Sequence, residues 1–455
     1  MNVMNQQFAL RFEMDMEAVT GLMLRSGRAG EFTDSSVERT PDGHLYINGY
    51  VLSSLLRRAV GRVDGGAGLA AAWGAYEGDR SGVSPLWTES VFVSEKEYLT
   101  AVNFGIRVSR ELGAVKNQAL YSDEIAFPLV PMTFSFTVFF PDRNQADMAA
   151  ACIRDALAVI DQGVETIGGG WSYGFGRLRV STARWSVLDL TEVKGRNTLW
   201  QQDNIDWQQQ LTGEEIEKLR PAVRDDRQWT VIRISAAVAD GQLLAIHTDV
   251  PEFGADTAGL PDSYVFRRPA FRNGSPDAVP VVTGKAFRQA VLSREIERML
   301  RSTGQGACLD TADRTRQAVL QAEIRHCGCK RCLWFGDTDG GGIISAADAR
   351  LSDWDVETVN RIQLCEHSMQ NIQLFNGEYL TRGKFTMDIV IDRSRPETSP
   401  EELEKKVIQV LEQMHAKQKK GPPGWYRLGA TSTCTGQLEV TAIEYPFSAS
   451  QGGGQ

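Results

Sequence analysis

Two stretches of this chain set an aspartate in a polar loop ahead of a glycine-led helix. The first, Thr33–Arg62 (TDSSVERTPDGHLYINGYVLSSLLRRAVGR), carries Asp34, then Asn48-Gly49, then a helix with Val51, Leu52, Leu55, Leu56 and Ala59 as its periodic apolar residues. The second, Pro261–Leu300, carries Asp262 and then Thr283-Gly284 before its own helix. A loop carboxylate can take a proton from a hydroxyl or hold a divalent ion against a phosphate. The helix behind it can receive an anion, because its first amide N–H groups are unpaired and its dipole is positive there. Positive charge is near both: Arg28, Arg39, Arg57 and Arg58 in the first copy, Arg267, Arg268, Lys285 and Arg288 in the second. The plain alternatives are an ordinary Asx-turn aspartate and arginines that solvate an exposed face.

A third cluster is Cys327-Gly-Cys329-Lys-Arg-Cys332. Three thiolates supply most of a tetrahedral metal site, and Cys308 and His326 compete for the fourth place. Asp337–Asp348 imitates a calcium loop, but Gly341 offers no side-chain oxygen at the fifth position and Asp348 replaces the closing glutamate, so calcium is not expected.

The elements that must position these residues fall into a repeat. Alternation over Phe8–Met14 predicts a strand, and Thr230–Ala236 repeats it with Arg233 in the place of Arg11. Each aspartate loop and helix follows. Glycine-rich turns entering strands come next, Trp73–Val93 and Trp334–Leu351, then an extended arm or hairpin, Phe104–Glu124 and Val359–Glu378. Each arm runs through Leu-Tyr or Leu-Phe before an acidic residue. Strands Phe134–Phe140 and Phe385–Ile391, helices Gln145–Asp161 and Pro400–Lys417, and glycine-rich loops before final strands (Gly168–Val180 and Gly421–Val440) complete the two halves. The order is β-α-β-β-α-β with an insertion, an α+β, ferredoxin-like (RRM-like) plan used twice. The expected domains are 1–185 and 229–455, the second with a Cys-rich insertion at about 302–336 and a Gly-rich tail. Residues 186–228 are expected to be a linker that packs or wraps.

Composition sets the limits. At 455 residues the chain is long enough for two or three domains with sizeable cores. It has no long apolar run, so no membrane partner is expected. Its N-terminus lacks the basic and apolar regions of a signal peptide. Seven cysteines, three of them crowded, suit a metal site in a reducing cytoplasm better than a disulfide framework. A net charge of −9 argues against a generic nucleic-acid binder, although Ser263–Arg301 is locally basic.

The loop Gly168–Arg177 does not keep dinucleotide-fingerprint spacing, follows a helix rather than a strand, and has no Gly-Lys-Ser/Thr to close a P-loop. It is either a tight turn or a backbone cradle for phosphates. Taken with Ile47-Asn-Gly-Tyr-Val-Leu-Ser-Ser-Leu-Leu-Arg57 and the C-x-C-x-x-C-L-W-F-G segment, the GGGWSYGFGRLRV loop resembles the RAMP superfamily, the RNA-binding backbone proteins of type III CRISPR effector complexes. The likeness covers about Phe8–Arg184 and Trp229–Tyr445, as if two backbone subunits were fused in tandem in the manner of single-chain type III-D systems.

That resemblance implies guide-RNA binding, complementary target RNA as substrate, other effector subunits as partners and a cytoplasmic location. It implies arms that wedge the guide–target duplex open and a loop aspartate that cuts beside each flipped nucleotide, positions matched here by Asp34 and Asp262. The implied chemistry is metal-dependent endoribonuclease action with Mg2+ or Mn2+, the RNA 2′-OH serving as nucleophile. It further implies a structural Zn2+ in the Cys327, Cys329, Cys332 insertion. Candidate RNA contacts are the residues flanking the aspartates, Gly49 and Gly284 at the helix starts, and the glycine loops through Gly168, Gly169, Gly170, Arg177, Tyr426 and Arg427. A non-catalytic guide-binding scaffold is the second reading. A guide-processing ribonuclease is the third, with only His44 near a site to act as its base.

Overall fold

The computed structural model describes residues 6–30, 33–73, 84–108, 115–201, 205–248, 261–272, 275–305, 329–336, 341–364, 371–420, 428 and 436–448. The chain divides into two compact units, one holding most of the residues up to Trp229 and the other the residues from Thr230 onward. Tyr426, Arg427, Cys308, His326 and Cys327 lie outside the described residues, as do Asp337 and most of both glycine-rich segments at 74–83 and 421–435.

The first unit contains β1 (Phe8–Ala18), β2 (Leu45–Ile47), α1 (Gly49–Arg62), α2 (Ala67–Ala72), β3 (Leu86–Thr88), β4 (Val91–Val93), β5 (Tyr98–Val108), β6 (Val115–Pro128), β7 (Met132–Phe140), α3 (Arg143–Asp161), β8 (Leu178–Asp189), α4 (Val193–Gln201), β9 (Gln209–Thr212) and α5 (Gly213–Lys218). The second contains β10 (Trp229–Val238), β11 (His247–Thr248), β12 (Tyr264–Val265), β13 (Arg267–Arg272), β14 (Ser275–Val282) and α6 (Gly284–Ala286). A π-helical stretch, Phe287–Ser293, carries α6 into α7 (Arg294–Ser302). Then follow α8 (Lys330–Phe335), β15 (Ile344–Ala346), β16 (Ala349–Arg350), β17 (Ser352–Leu364), β18 (Asn371–Asp392), α9 (Pro400–Lys420) and β19 (Leu438–Ser448).

The molecule is α+β. Its main sheets run β3-β7-β1-β8-β9 and β15-β18-β10-β19, so the second, third, first and fourth strands of each half lie side by side in that order. The pairs β1–β7, β1–β8, β3–β7, β10–β19 and β15–β18 are antiparallel. In the first unit α3 packs on β1, β7 and β8, with α1 against it. In the second, α9 packs on β18, β19 and α7.

The strand expected at Phe8–Met14 is longer and more buried than half-buried alternation predicts. Leu10 and Phe12 are fully buried on one face, but Ala9 and Arg11 are buried too. The reason is its central place in the sheet and an ion pair between Arg11 and Glu89 at 2.5 Å, helped by a bond from Arg11 to Thr137. Its repeat partner Arg233 pairs with Asp388 at 2.7 Å.

Residues 186–228, expected as a linker that packs or wraps, pack on the first unit: β9 continues the sheet beside β8, and α5 packs on α3. Asp348, the last residue of the calcium-like segment, is a buried structural acceptor. Its Oδ1 takes the Gly284 amide at 2.9 Å, and its other oxygen pairs with the buried Arg268. Burial pushes this carboxyl above the usual carboxylate range, against the opposing pull of Arg268.

The same joint exists in the first unit, where Ser90 Oγ accepts the Gly49 amide at 3.1 Å. Both helix-leading glycines sit hard against a sheet-edge strand. A Cβ on Gly49 would lie 2.7 Å from the Thr88 carbonyl oxygen, and one on Gly284 only 1.8 Å from that of Ala346. Close backbone approach is sufficient reason for glycine at both positions, without any ligand. Gly284→Ala should therefore destabilise the second unit by about 1–3 kcal/mol, and Gly49→Ala the first by less. Denaturant midpoints of the two variants test this, and an equal or reversed order would contradict the packing explanation.

Candidate functional site

Each aspartate loop is bonded to one strand of its hairpin arm, and the backbone part of the exchange is the same in both units. The arms are β5 with β6 and β17 with β18. Asp34 is exposed, and its amide donates to the Ser122 carbonyl at 3.0 Å and to Ser122 Oγ at 3.0 Å. In return the Ser122 amide donates to Asp34 Oδ2 at 2.7 Å, and the hydroxyl can donate to the same oxygen at 3.1 Å. Asp262 is exposed too. Its amide donates to the Asn376 carbonyl at 3.1 Å and to Asn376 Oδ1 at 2.8 Å, while the Asn376 amide donates to Asp262 Oδ2 at 2.8 Å.

Two residues along each arm strand a glutamate repeats this division of labour. Glu124 accepts the Val37 amide at 3.0 Å and is forked by Arg39, at 2.5 and 3.0 Å. Glu378 accepts the Val265 amide at 3.1 Å and pairs with Arg267 at 2.8 Å. Backbone bridges agree on the alignment. Ser35 pairs in parallel with Asp123 as Ser263 does with Gly377, and Leu22 pairs with Ala126 as Leu244 does with Leu380. The two halves therefore correspond position by position, Asp34 with Asp262, Ser122 with Asn376 and Glu124 with Glu378.

The carboxylates differ in how they are partnered. Burial pushes Glu124 up, but the Arg39 fork and the Val37 amide outweigh that and hold it below the usual glutamate range. Arg39 is raised by the same pair, and its Nε also donates to the Tyr98 hydroxyl at 3.0 Å. Asp123 is buried and paired with Arg25 at 3.0 Å. Asp34 and Asp262 are the carboxylates left facing outward, with the bonds described above falling on Oδ2.

The expected phosphate contacts fare unevenly. Arg28 and Arg57 are exposed. Arg39 and Arg267 are committed to Glu124 and Glu378. Arg58 is held by Glu165 and by the Thr166 carbonyl at 2.6 Å, and Arg62 shares Glu165 at 2.6 Å. Arg177, Arg268 and Arg288 are buried, with Arg177 donating to the Gln162 carbonyl and Arg288 to the Phe335 carbonyl. Burial removes these three from the set of RNA contacts, because a side chain in the core cannot reach a phosphate at the surface. Lys285 is partly exposed.

The glycine loop also has internal work. The Gly169 amide donates to Met23 at 2.9 Å and the Gly176 amide to Gly21 at 2.9 Å. Gly176 has φ +77°, and a Cβ there would lie 2.0 Å from the Ile167 oxygen; Gly436 has φ +90°, with the Leu428 oxygen at 1.8 Å. Gly168 and Gly170 also have positive φ. This favours the tight-turn reading over a phosphate cradle.

In the insertion, Cys329 caps α8, its Sγ accepting the Cys332 amide at 3.5 Å. Cys332 is buried on α8, which Arg331 ties to Glu297 at 3.0 Å and Lys330 ties to Glu402. Among the described residues no group of three or more His, Cys, Asp or Glu side chains could hold a metal.

Sequence reasoning missed Ser122, Glu124, Asn376 and Glu378. Their signal was present, since Leu-Tyr-Ser-Asp-Glu and Leu-Phe-Asn-Gly-Glu occupy matching places in the two arms. No family model and no characterised protein matches this chain.

The Glu124 clamp yields a pH dependence. A carboxyl whose folded pKa is depressed adds stability above its unfolded pKa, roughly 4.3, and loses it as pH falls through the folded value. Hydrogen-exchange protection of the Ser35–Val37 amides should accordingly fall in that acidic window. Glu124→Ala should already have lost it at neutral pH, and unchanged protection in that variant would exclude the clamp.

Proposed function

We propose that the chain is a tandem pair of ferredoxin-like RAMP domains, a guide-RNA-binding backbone subunit of a type III CRISPR effector that cuts complementary target RNA at two places. One observation carries this reading: an exposed aspartate, fixed to a strand of a hairpin arm, occurs twice with the same exchange of backbone hydrogen bonds. An arm projecting beside a carboxylate suits a wedge that opens a duplex next to the group that acts on the freed nucleotide. The strand order shared by the two main sheets supports the ferredoxin-like part, and the motifs quoted above support the family.

The chemistry asked of the aspartate is modest. RNA carries its own nucleophile, and displacing one nucleotide from the helix lets the 2′-oxygen line up with the phosphorus. The outward oxygen of Asp34 or Asp262 takes the 2′-OH proton as the 2′-oxygen–phosphorus bond forms and the bond to the 5′-oxygen breaks; the 5′-oxygen takes a proton from water, giving a 2′,3′-cyclic phosphate and a 5′-hydroxyl. A divalent cation, held by that aspartate together with phosphate oxygens, would supply charge neutralisation at the phosphate; hard oxygen donors suit Mg2+ or Mn2+. Cys329 and Cys332, with Cys327 and either Cys308 or His326, would hold a structural zinc that secures the insertion.

A second reading has its own support, because Asp34 already has work to do in binding Ser122. In that reading the chain is a guide-binding scaffold and the aspartates are purely structural. Asparagine substitution separates the two, since a side-chain amide can keep the bond to the arm but has no charge. In an assembled complex given target RNA and magnesium, Asp34→Asn and Asp262→Asn should each remove one distinct cut, lowering its rate at least ~100-fold. Both cuts persisting in both variants would sink the nuclease reading in favour of the scaffold. Zinc content is a separate readout. Cys329→Ser with Cys332→Ser should abolish stoichiometric zinc, and full retention would exclude the site.

A further inference from the structure

We propose that Ser122 and Asn376 are the positioning residues of the two aspartate sites, each fixing one carboxylate oxygen so that the other faces the target strand. The inference rests on the nuclease reading of those aspartates and adds to it the groups that orient them. An exposed aspartate on a loop is free to turn about its side-chain bonds, and a base that turns is seldom aligned with a 2′-hydroxyl. Here the freedom is removed from the arm side. The Ser122 amide reaches Asp34 Oδ2 at 2.7 Å, and the Asn376 amide reaches Asp262 Oδ2 at 2.8 Å.

The side chains secure the same joint from the other direction. Ser122 Oγ and Asn376 Oδ1 accept the aspartate's own amide, at 3.0 and 2.8 Å. Two different residue types thus perform one task at equivalent positions, while the next residue along has diverged from Asp123 to Gly377. Identity of bonding without identity of residue indicates that the geometry is what both halves keep. The sites are also unequal. Ser122 Oγ lies 3.1 Å from the carboxylate as well, so Asp34 Oδ2 has two donors, whereas among the described residues the Asn376 side chain bonds the Asp262 amide and not the carboxylate. The first aspartate is held more tightly than the second.

The test uses the whole effector complex and single-turnover cleavage of a labelled target, with each cut quantified separately. The untouched site on the same chain reports folding, assembly and guide binding. Ser122→Ala should lower the maximal rate of the first cut about tenfold, the effect of losing one hydrogen bond to a charged group, with half-saturating target concentration unchanged. Ser122→Asn, which on the pattern of the second site keeps the bond to the aspartate's amide but not the one to its carboxylate, should restore part of that rate. Asn376→Ala should lower the second cut by less than Ser122→Ala lowers the first, because its side chain does not touch the carboxylate. A loss seen only in target affinity, or no rescue by asparagine, would overturn the positioning role. So would a first cut left intact by Ser122→Ala while Asp34→Asn abolishes it, and in that case the nuclease reading survives. If Asp34→Asn leaves the first cut intact, the nuclease reading fails at that site.

Discussion

At the base of each arm two pieces of chain about a hundred residues apart must satisfy one another's backbone. The aspartate loop has amides with no ladder of its own, and the arm strand, paired with its hairpin partner on one side, has amides and carbonyls to fill on the other. Buried or half-buried N–H and C=O groups need partners, and leaving one unmade costs about 1–3 kcal/mol. Here the loop and arm supply them reciprocally, with Asp34 and Ser122 exchanging bonds and Glu124 accepting from Val37. The second unit repeats the arrangement through Asp262, Asn376, Glu378 and Val265. The direction of the arm and the orientation of the carboxylate are therefore one structural variable rather than two.

Charge follows the same economy. The chain is acidic overall, at −9, and many of its arginines neutralise its own carboxylates instead of facing outward. Arg58 and Arg62 converge on Glu165, Arg39 forks Glu124, and Arg268 meets a buried Asp348. Such pairs add little net stability when exposed, but breaking a buried one strands a charge and costs several kcal/mol. Their main effect is to lock loops onto scaffolds.

Much of the fold was legible in the sequence, because periodicity reports local burial. The first strand of each half, the helix after Gly49 and the helices near 145–161 and 400–417 all form with boundaries displaced by a few residues. Other features were not legible. The segment 186–228 has no strong period, so nothing local announces that β9 completes a sheet. One strand, β18, serves both as arm and as core strand, where separate elements were expected. Glycines 49 and 284 read as phosphate-binding positions, yet a neighbouring carbonyl oxygen explains them, a distance no local pattern records.

The sequence by itself determined that the chain is a repeat, that each half carries a loop aspartate ahead of a glycine-led helix, and which residues alternate into strands and helices. Those properties depend on residue type and near-neighbour spacing, which the one-dimensional order preserves. The tertiary structure decided which charges remain available and which groups hold the aspartates. Arg39 and Arg57 look alike in sequence, but one is clamped by Glu124 across 85 positions and the other lies on an exposed helix face. Ser122 and Asn376 share no chemistry beyond a side-chain oxygen, and only the folded arm brings each within 3 Å of its aspartate. Hydrogen bonds and ion pairs are set by distance in space, and for this site that distance is closed by chain segments far apart in order.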